Sequence, residues 1–163
     1  MFFGLRPVKY VDLGEQDGDA GIIDPRPYLA KLPELAELLP PGARAFATDP
    51  GHYDFHGRRC VKDLKPRRIR RIGDEELEIR FGHNCWKHDE DLVVRYEGVS
   101  RFQVDVLDVC DVAALGDVVL DEVLPHEAGC THEVVCRPGT LVVACRDLVA
   151  RWVSAGCPDD CAG

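Results

Sequence analysis

Two histidines and an aspartate occur within residues 49–57, and their side chains are of the types used in acid–base catalysis and metal binding. They are His52, Asp54 and His56. A helical turn would place the two histidines on one face, whereas an extended chain would align all three. Either geometry gathers imidazoles around a carboxylate. The alternative is that Tyr53 and Phe55 anchor this segment in the core, while the polar residues complete a turn.

A second candidate set lies in residues 83–88, which contain two histidines and a cysteine. These residues are His83, Cys85 and His88. Zinc needs four protein ligands in a structural site, or three and a water molecule in a catalytic one. Because no second paired-ligand motif accompanies this segment, we predict no bound metal. Zinc held by these three residues is the alternative, and a polar loop with a semi-buried cysteine and tryptophan is the simpler interpretation.

A basic stripe occupies residues 58–73, which carry eight basic side chains and one acidic side chain. Arginine binds phosphates and carboxylates in a bidentate manner, so the stripe could hold an acidic group. Its candidate binding residues are Arg67, Arg68, Arg70 and Arg71. No aromatic residues interleave with them, as a platform for single-stranded nucleic acid requires. A solvated strand face is the competing interpretation.

Sequence motifs of the common enzyme classes are missing from the chain. It contains no phosphate-binding loop, no dinucleotide fingerprint, no GxSxG elbow and no HExxH. The two serines, Ser100 and Ser154, have no nucleophile motif around them. The sequence therefore favours a binding protein over a standard enzyme.

The charge distribution favours a basic partner. The formal net charge of the 163 residues is −9. Residues 74–163 alone carry nineteen acidic and seven basic side chains. Such a chain repels nucleic acid and attracts basic proteins. We find neither a signal-peptide pattern nor a membrane span, so we expect a cytoplasmic protein with eight reduced cysteines. The 15 arginines against 5 lysines suggest a GC-rich bacterial genome.

Hydrophobic periodicity predicts an α+β fold that is mainly β. Residues 24–28 are predicted to open one amphipathic helix, with Asp24 as its cap and proline in its first turn. Leucines and an alanine at three- and four-residue spacing over residues 29–39 give it one apolar stripe, and it ends at Pro40, Pro41 and Gly42. From residue 61 onwards, short alternating segments separated by turn residues predict an antiparallel meander, with the helix packed on it. Residues 147–153 are predicted as a short terminal helix. We expect one domain over residues 1–155, followed by a mobile tail that contains Cys157 and Cys161.

Part of this pattern resembles a known class of proteins. Residues 54–56 and 60–64, followed by the strand-like residues 77–81 and 92–99, resemble small β-rich immunity proteins of bacteria, which neutralise polymorphic toxins. The resemblance covers residues 52–107. It implies a β-rich fold without catalytic residues. Our leading hypothesis is an immunity-type inhibitor or adaptor that binds a basic partner through an acidic surface, and the alternative is a metal-dependent enzyme or metal-binding protein.

Overall fold

Eight strands and two helices make up the described part of the chain. The computed structural model describes residues 9–10, 24–105 and 115–155. The helices are α1 (Arg26–Leu38) and α2 (Pro41–Ala47). The strands are β1 (Lys65–Arg71), β2 (Glu76–Gly82), β3 (Glu90–Glu97), β4 (Arg101–Asp105), β5 (Asp117–His126), β6 (Gly129–Arg137), β7 (Thr140–Cys145) and β8 (Asp147–Ser154). The prediction of an α+β, mainly β fold is confirmed.

The strands form two antiparallel sheets instead of the single meander that we expected. The order is β1-β2-β3-β8 in the first sheet and β4-β7-β6-β5 in the second. The chain crosses between the sheets after β3 and returns through Arg146 alone, which separates β7 from β8. Arg146 N donates to Glu97 O at 2.9 Å, so the two crossings run side by side. They hold one end of the two sheets together.

One hydrophobic core fills the space between the sheets. In the first sheet, alternate residues of β2 and β3 point inward, and Ile79 is paired with Val94. In the second sheet, Leu141 and Val143 of β7 are fully buried. This period-two pattern is the one that the sequence predicted for half-buried strands.

Helix α1 packs against β5, and its buried face begins one residue earlier than predicted. Asp24 Oδ1 accepts a hydrogen bond from Arg26 N at 2.9 Å, just before the helix begins. Leu32 and Tyr28 are buried, whereas Leu29, the first residue of the predicted apolar stripe, is 36% exposed. The stripe therefore begins one residue earlier, at the tyrosine.

A second short helix follows directly and was not predicted. We interpreted Pro40, Pro41 and Gly42 only as a terminator, but Pro41 is also tolerated in the first turn of a new helix. The Asp147 carboxylate accepts from Gly42 N at 3.1 Å and from Ala43 N at 2.9 Å. A Cβ atom at Gly42 would overlap Leu148 O. These contacts fix α2 against β8.

The prediction of a terminal helix over residues 147–153 is wrong. These residues form β8, which pairs with β3 over its whole length. Its burial alternates, since Leu148 is buried and Val149 is 51% exposed. The eight consecutive residue pairs that β8 forms with the central strand β3 stabilise the extended conformation more than a weak helical spacing of apolar residues stabilises a helix.

The predicted mobile tail at residues 156–163, with Cys157 and Cys161, lies outside the described residues. The single domain over residues 1–155 stays a prediction. Neither described helix has the length and apolar character that a membrane span needs.

Candidate functional site

A chain of four polar side chains runs through the core between the two sheets. It consists of His52 from the segment after α2, Asp121 from β5, His132 from β6 and Tyr96 from β3. Their exposed fractions are 2%, 1%, 0% and 0% in that order. We call these four residues the buried polar chain. Buried polar groups are tolerated when they are hydrogen-bonded, and every member meets this condition.

His52 and Asp121 share a proton at one end of the buried polar chain. His52 Nδ1 lies 2.9 Å from Phe46 O, and His52 Nε2 lies 2.8 Å from both Asp121 carboxylate oxygens. A carbonyl oxygen only accepts, so Nδ1 carries a hydrogen and a second proton lies between Nε2 and the carboxylate. Burial alone would lower the pKa of His52, but the charge of Asp121 and its hydrogen bond outweigh burial and raise that pKa.

The ionised form of Asp121 is held by the two histidines that flank it. Burial favours the protonated acid and so opposes ionisation. The charge of His52 and the hydrogen bonds from His132 and His52 outweigh burial, and the pKa of Asp121 falls well below its ordinary value. This end of the chain is therefore an imidazolium–carboxylate pair.

The other end of the buried polar chain reaches the first sheet. His132 Nε2 donates to Asp121 Oδ2 at 2.8 Å, and His132 Nδ1 accepts from the Tyr96 hydroxyl at 2.7 Å. Burial raises the pKa of Tyr96 well above its ordinary value, so the hydroxyl keeps the hydrogen that it donates. Because Tyr96 lies on β3 and His132 on β6, this hydrogen bond joins the two sheets through their core.

Two further tyrosines hold the outer edge of β5. The Tyr28 hydroxyl donates to Val123 O at 2.7 Å, and the Tyr53 hydroxyl donates to Asp121 O at 2.9 Å. Farther along, Asp63 N donates to Val118 O at 2.8 Å and Val118 N donates to Leu64 O at 2.7 Å. The segment between α2 and β1 is thus hydrogen-bonded to β5 at several points.

The role of the buried polar chain is structural. An acid–base catalyst must come within hydrogen-bond reach of the substrate atom that exchanges its proton. Side chains with exposed fractions of 0–2% have no such access in this structure. The buried polar chain contains one imidazolium and one carboxylate charge, and its hydrogen bonds attach the irregular segment after α2 to both sheets.

The structure separates the three residues predicted at 49–57. His52 is buried on Asp121, whereas Asp54 and His56 are exposed. The Asp54 carboxylate accepts from His56 N at 3.3 Å, which is a turn contact. Tyr53 and Phe55 pack against the core, as our alternative interpretation required. The three residues do not form the predicted common group, and a binding role for Asp54 or His56 stays a prediction.

The four arginines of the predicted stripe lie on β1, an edge strand of the first sheet, and all four are exposed. Arg70 pairs with Glu78 at 3.0 Å, and Arg71 Nη1 donates to Asp74 O at 3.2 Å. On the same outer face Arg95 pairs with Glu76 at 2.6 Å. Arg70 and Arg95 are thus paired with glutamates, and the four arginines of the stripe are solvated. Binding through Arg67, Arg68, Arg70 and Arg71 stays a prediction.

Residues 83–89 form a loop in which the three predicted zinc ligands have other partners. His83 Nδ1 lies 2.6 Å from Asp91 Oδ1. His88 Nδ1 accepts from Asn84 N at 3.1 Å, and its Nε2 donates to Cys60 O at 2.8 Å. Cys85 is disulfide-bonded, so the expectation of eight reduced cysteines is wrong at this residue. The described residues contain no group of three His, Cys, Asp or Glu side chains placed to hold a metal ion.

Trp86 lies at the tip of this loop and is 75% exposed. The sequence interpretation placed the loop tryptophan as semi-buried, which is wrong. The backbone beside it is fixed, since Lys87 N and His88 N both donate to Asn84 O, at 2.9 and 2.7 Å. The loop therefore presents a large aromatic side chain to solvent from a fixed backbone.

Two glutamates face each other on the outer side of the second sheet. Glu122 of β5 is paired in register with Glu133 of β6. The buried Glu122 carboxylate accepts from Lys9 N at 2.8 Å and from Tyr10 N at 2.7 Å. Burial, and then the charge of Glu122, raise the pKa of Glu133 to about 7. Glu133 is consequently a carboxyl group that changes charge near neutral pH.

Two shallow clefts lie on the described surface. One of about 270 Å³ is lined by Leu29, Leu32, Ala47, Thr48, Asp49, Pro50, Tyr53 and Asp54. The other, of about 200 Å³, lies between the β1–β2 turn and the start of β4. Both are smaller than the roughly 300–1,000 Å³ of typical small-molecule sites.

Comparisons with models of known protein families, with curated proteins and with solved structures found no match to this chain.

Sequence reasoning missed Asp121 and Tyr96, although one signal for the buried polar chain was present. Cys130, His132, Val134 and Cys136 share one face of a strand, and a histidine on an otherwise apolar face indicates a buried side chain that needs partners. The partners come from β3, β5 and the segment after α2, and only the fold brings these together.

Proposed function

We propose that this protein is a non-enzymatic binding module that recognises a basic partner protein, as an inhibitor of the immunity type or as an adaptor. The observation that carries the proposal is the exposure of Trp86 on a loop fixed by buried contacts. Tryptophan is enriched among the residues that contribute most to binding energy at protein interfaces. Exposing its ring to water is unfavourable in the free protein, and burial against a partner removes that cost.

The loop around Trp86 supports the proposal because it is organised before binding. On one side, His83 N and Nδ1 both contact Asp91 Oδ1, at 2.8 and 2.6 Å. On the other side, the half-buried Lys87 Nζ donates to Asp63 Oδ2 at 2.9 Å, and the buried His88 donates to Cys60 O. A contact residue on a fixed backbone loses little conformational entropy when it binds.

The carboxylates near the loop already have basic partners within the chain, so the ring of Trp86 is the feature that supports a partner with basic side chains. Asp89, whose side chain is 64% exposed, pairs with Arg58 at 2.6 Å, and Glu90 pairs with Arg59 at 2.8 Å. The face of a tryptophan ring attracts Lys and Arg side chains. The contact that we propose is therefore a basic side chain of the partner seated on Trp86.

The overall charge acts at longer range. The described residues carry 21 acidic and 19 basic side chains, so most of the net charge of −9 belongs to the remaining segments. Electrostatic attraction of this kind raises the association rate more than the affinity. We expect association to slow as salt is added, while the contribution of Trp86 appears in the dissociation rate.

The test is affinity capture with the full chain from its native host, followed by calorimetric titration of each captured protein. Trp86→Ala should weaken binding of a stoichiometric basic partner about tenfold or more, the effect of a residue that contributes over 1 kcal/mol. Leu38→Ala is the matched control, since Leu38 is 70% exposed and lies on α1. It should leave the affinity within about twofold. Equal affinities for wild type and Trp86→Ala with every captured protein would refute the proposal.

A further inference from the structure

Each sheet has two edge strands, and three of these four edges carry a feature that blocks pairing with another strand. On β1 the blocking features are a register shift near Pro66 and the run of exposed arginines. Proline and same-sign charge both disfavour an added strand. A second copy of β1 would place arginine against arginine.

The β5 and β8 edges are covered by other parts of the chain. The Tyr28 and Tyr53 hydroxyls occupy backbone groups of β5 at Val123 and Asp121. Helix α2 lies against the start of β8, with Gly42 at Leu148 O. Neither edge offers a continuous row of backbone donors and acceptors to an incoming strand.

Strand β4 differs from the other three edges. It pairs with β7 on one side, and no described strand pairs with its other side. Arg101, Gln103 and Asp105 are exposed, while Phe102 and Val104 are half-buried against the core. An edge of this composition has a polar outer row and an apolar inner row, as a strand inside a sheet has.

We propose that β4 pairs with β4 of a second copy of this chain, antiparallel and centred on Gln103. In that register Arg101 lies opposite Asp105 of the other copy, and Phe102 lies opposite Val104. Opposite charges on directly paired residues stabilise a two-stranded contact, and like charges destabilise it. Arg101 and Asp105 therefore form two opposite-charge pairs in each dimer. The same two charges disfavour pairing with an unrelated strand.

The contact is small, because each copy contributes one strand of five residues. Interfaces of this size fall below the range of permanent dimers, so the association is reversible and concentration-dependent. It does not depend on the proposed function, because Trp86 lies on the loop between β2 and β3 and the proposed pairing uses β4.

Analytical ultracentrifugation over a wide concentration range tests this pairing through charge exchange on the full chain. Arg101→Asp and Asp105→Arg each create two like-charge pairs and should raise the dimer dissociation constant about tenfold or more. The double variant restores both pairs and should return to within about threefold of wild type. Arg151→Asp, at an exposed position on β8, is the control for the change in net charge.

Three results would overturn the inference. One is a protein that stays monomeric at the highest attainable concentration. Another is a dimer that neither single variant weakens, which would place the contact elsewhere. The last is a double variant as weak as the single variants, because the antiparallel register requires restoration. All the substituted side chains are exposed, so each variant should keep the circular dichroism spectrum and the melting temperature of the wild type. These two measurements are the control for folding.

Discussion

His52 Nε2 lies 2.8 Å from both carboxylate oxygens of Asp121, although the two residues are 69 positions apart in the chain. The contact is buried at both ends. It joins an irregular segment to the edge strand of the second sheet and places a charged pair where water is excluded. The stability of the fold should therefore respond sharply to changes in either residue.

Asp121→Asn should lower the free energy of unfolding by about 3–5 kcal/mol, because it leaves the His52 imidazolium buried without its counter-charge. Urea denaturation followed by fluorescence measures the change. Asp74→Asn, at an exposed turn position, should change it by less than about 0.5 kcal/mol. A loss below about 1 kcal/mol at Asp121 would show that the pair carries little of the stability.

The pair also predicts a pH dependence with two limits. The raised pKa of His52 gives stability that is fully present below its ordinary value of 6.5 and is lost as pH rises through the raised value. The lowered pKa of Asp121 gives stability present above its ordinary value of 3.8 and lost as pH falls toward the lowered one. The difference in unfolding free energy between wild type and His52→Gln should therefore be largest between these two ordinary values. A difference that grows from pH 7 to pH 9 would contradict the charged pair.

Glu133 predicts a further loss of stability as pH rises near neutrality, because the fold disfavours its charged form. Its pKa is raised from 4.5 to about 7, so the fold prefers the protonated acid and loses stability as pH rises through that interval. Glu133→Gln should raise the free energy of unfolding at pH 8 by on the order of 1 kcal/mol, and the gain should vanish below about pH 4.5. Glu127→Gln, at an exposed position in the β5–β6 turn, is the control. A gain that is equal at both pH values would rule out titration of Glu133 as the cause.

The attachment of α2 gives a steric prediction. Gly42→Ala places a Cβ atom on Leu148 O and should cost about 2 kcal/mol or more, since the helix must move away from β8. At Gly73→Ala the nearest atom is 3.6 Å away, at Glu76, and the backbone has no positive φ, so the change should be within about 0.5 kcal/mol. Thermal unfolding of both variants makes the comparison, and equal melting temperatures would contradict the close approach.

Local pattern was sufficient for much of the fold. The spacing of Leu32 and Leu35 predicted α1, and alternation predicted most strands, because burial against one face imposes these periods. It failed at residues 147–153, where the spacing of Leu148 and Trp152 fits both periods and Val149 fits only the helical one. Pairing with β3 decides between them, and that partner lies more than fifty residues away.

The candidate site was less accessible to such reasoning. His52 was singled out for its neighbours Asp54 and His56, yet its partner is Asp121 on a distant strand. Trp86 was treated as part of a polar loop, because nothing local distinguishes an exposed tryptophan from a packed one. Both outcomes depend on which segments the two sheets bring together, and this is a property of topology.

The segment between α2 and β1 looks like a surface connection, since it contains no helix or strand. Through His52, Tyr53, Asp63 and Leu64 it is nevertheless hydrogen-bonded into the second sheet. Its amide protons should exchange with solvent as slowly as those of the strands, and proteases should cut it only after the whole molecule opens. Insertions here should be tolerated as poorly as insertions within β6. This connection should therefore behave like an additional strand of the second sheet, although it has no regular secondary structure.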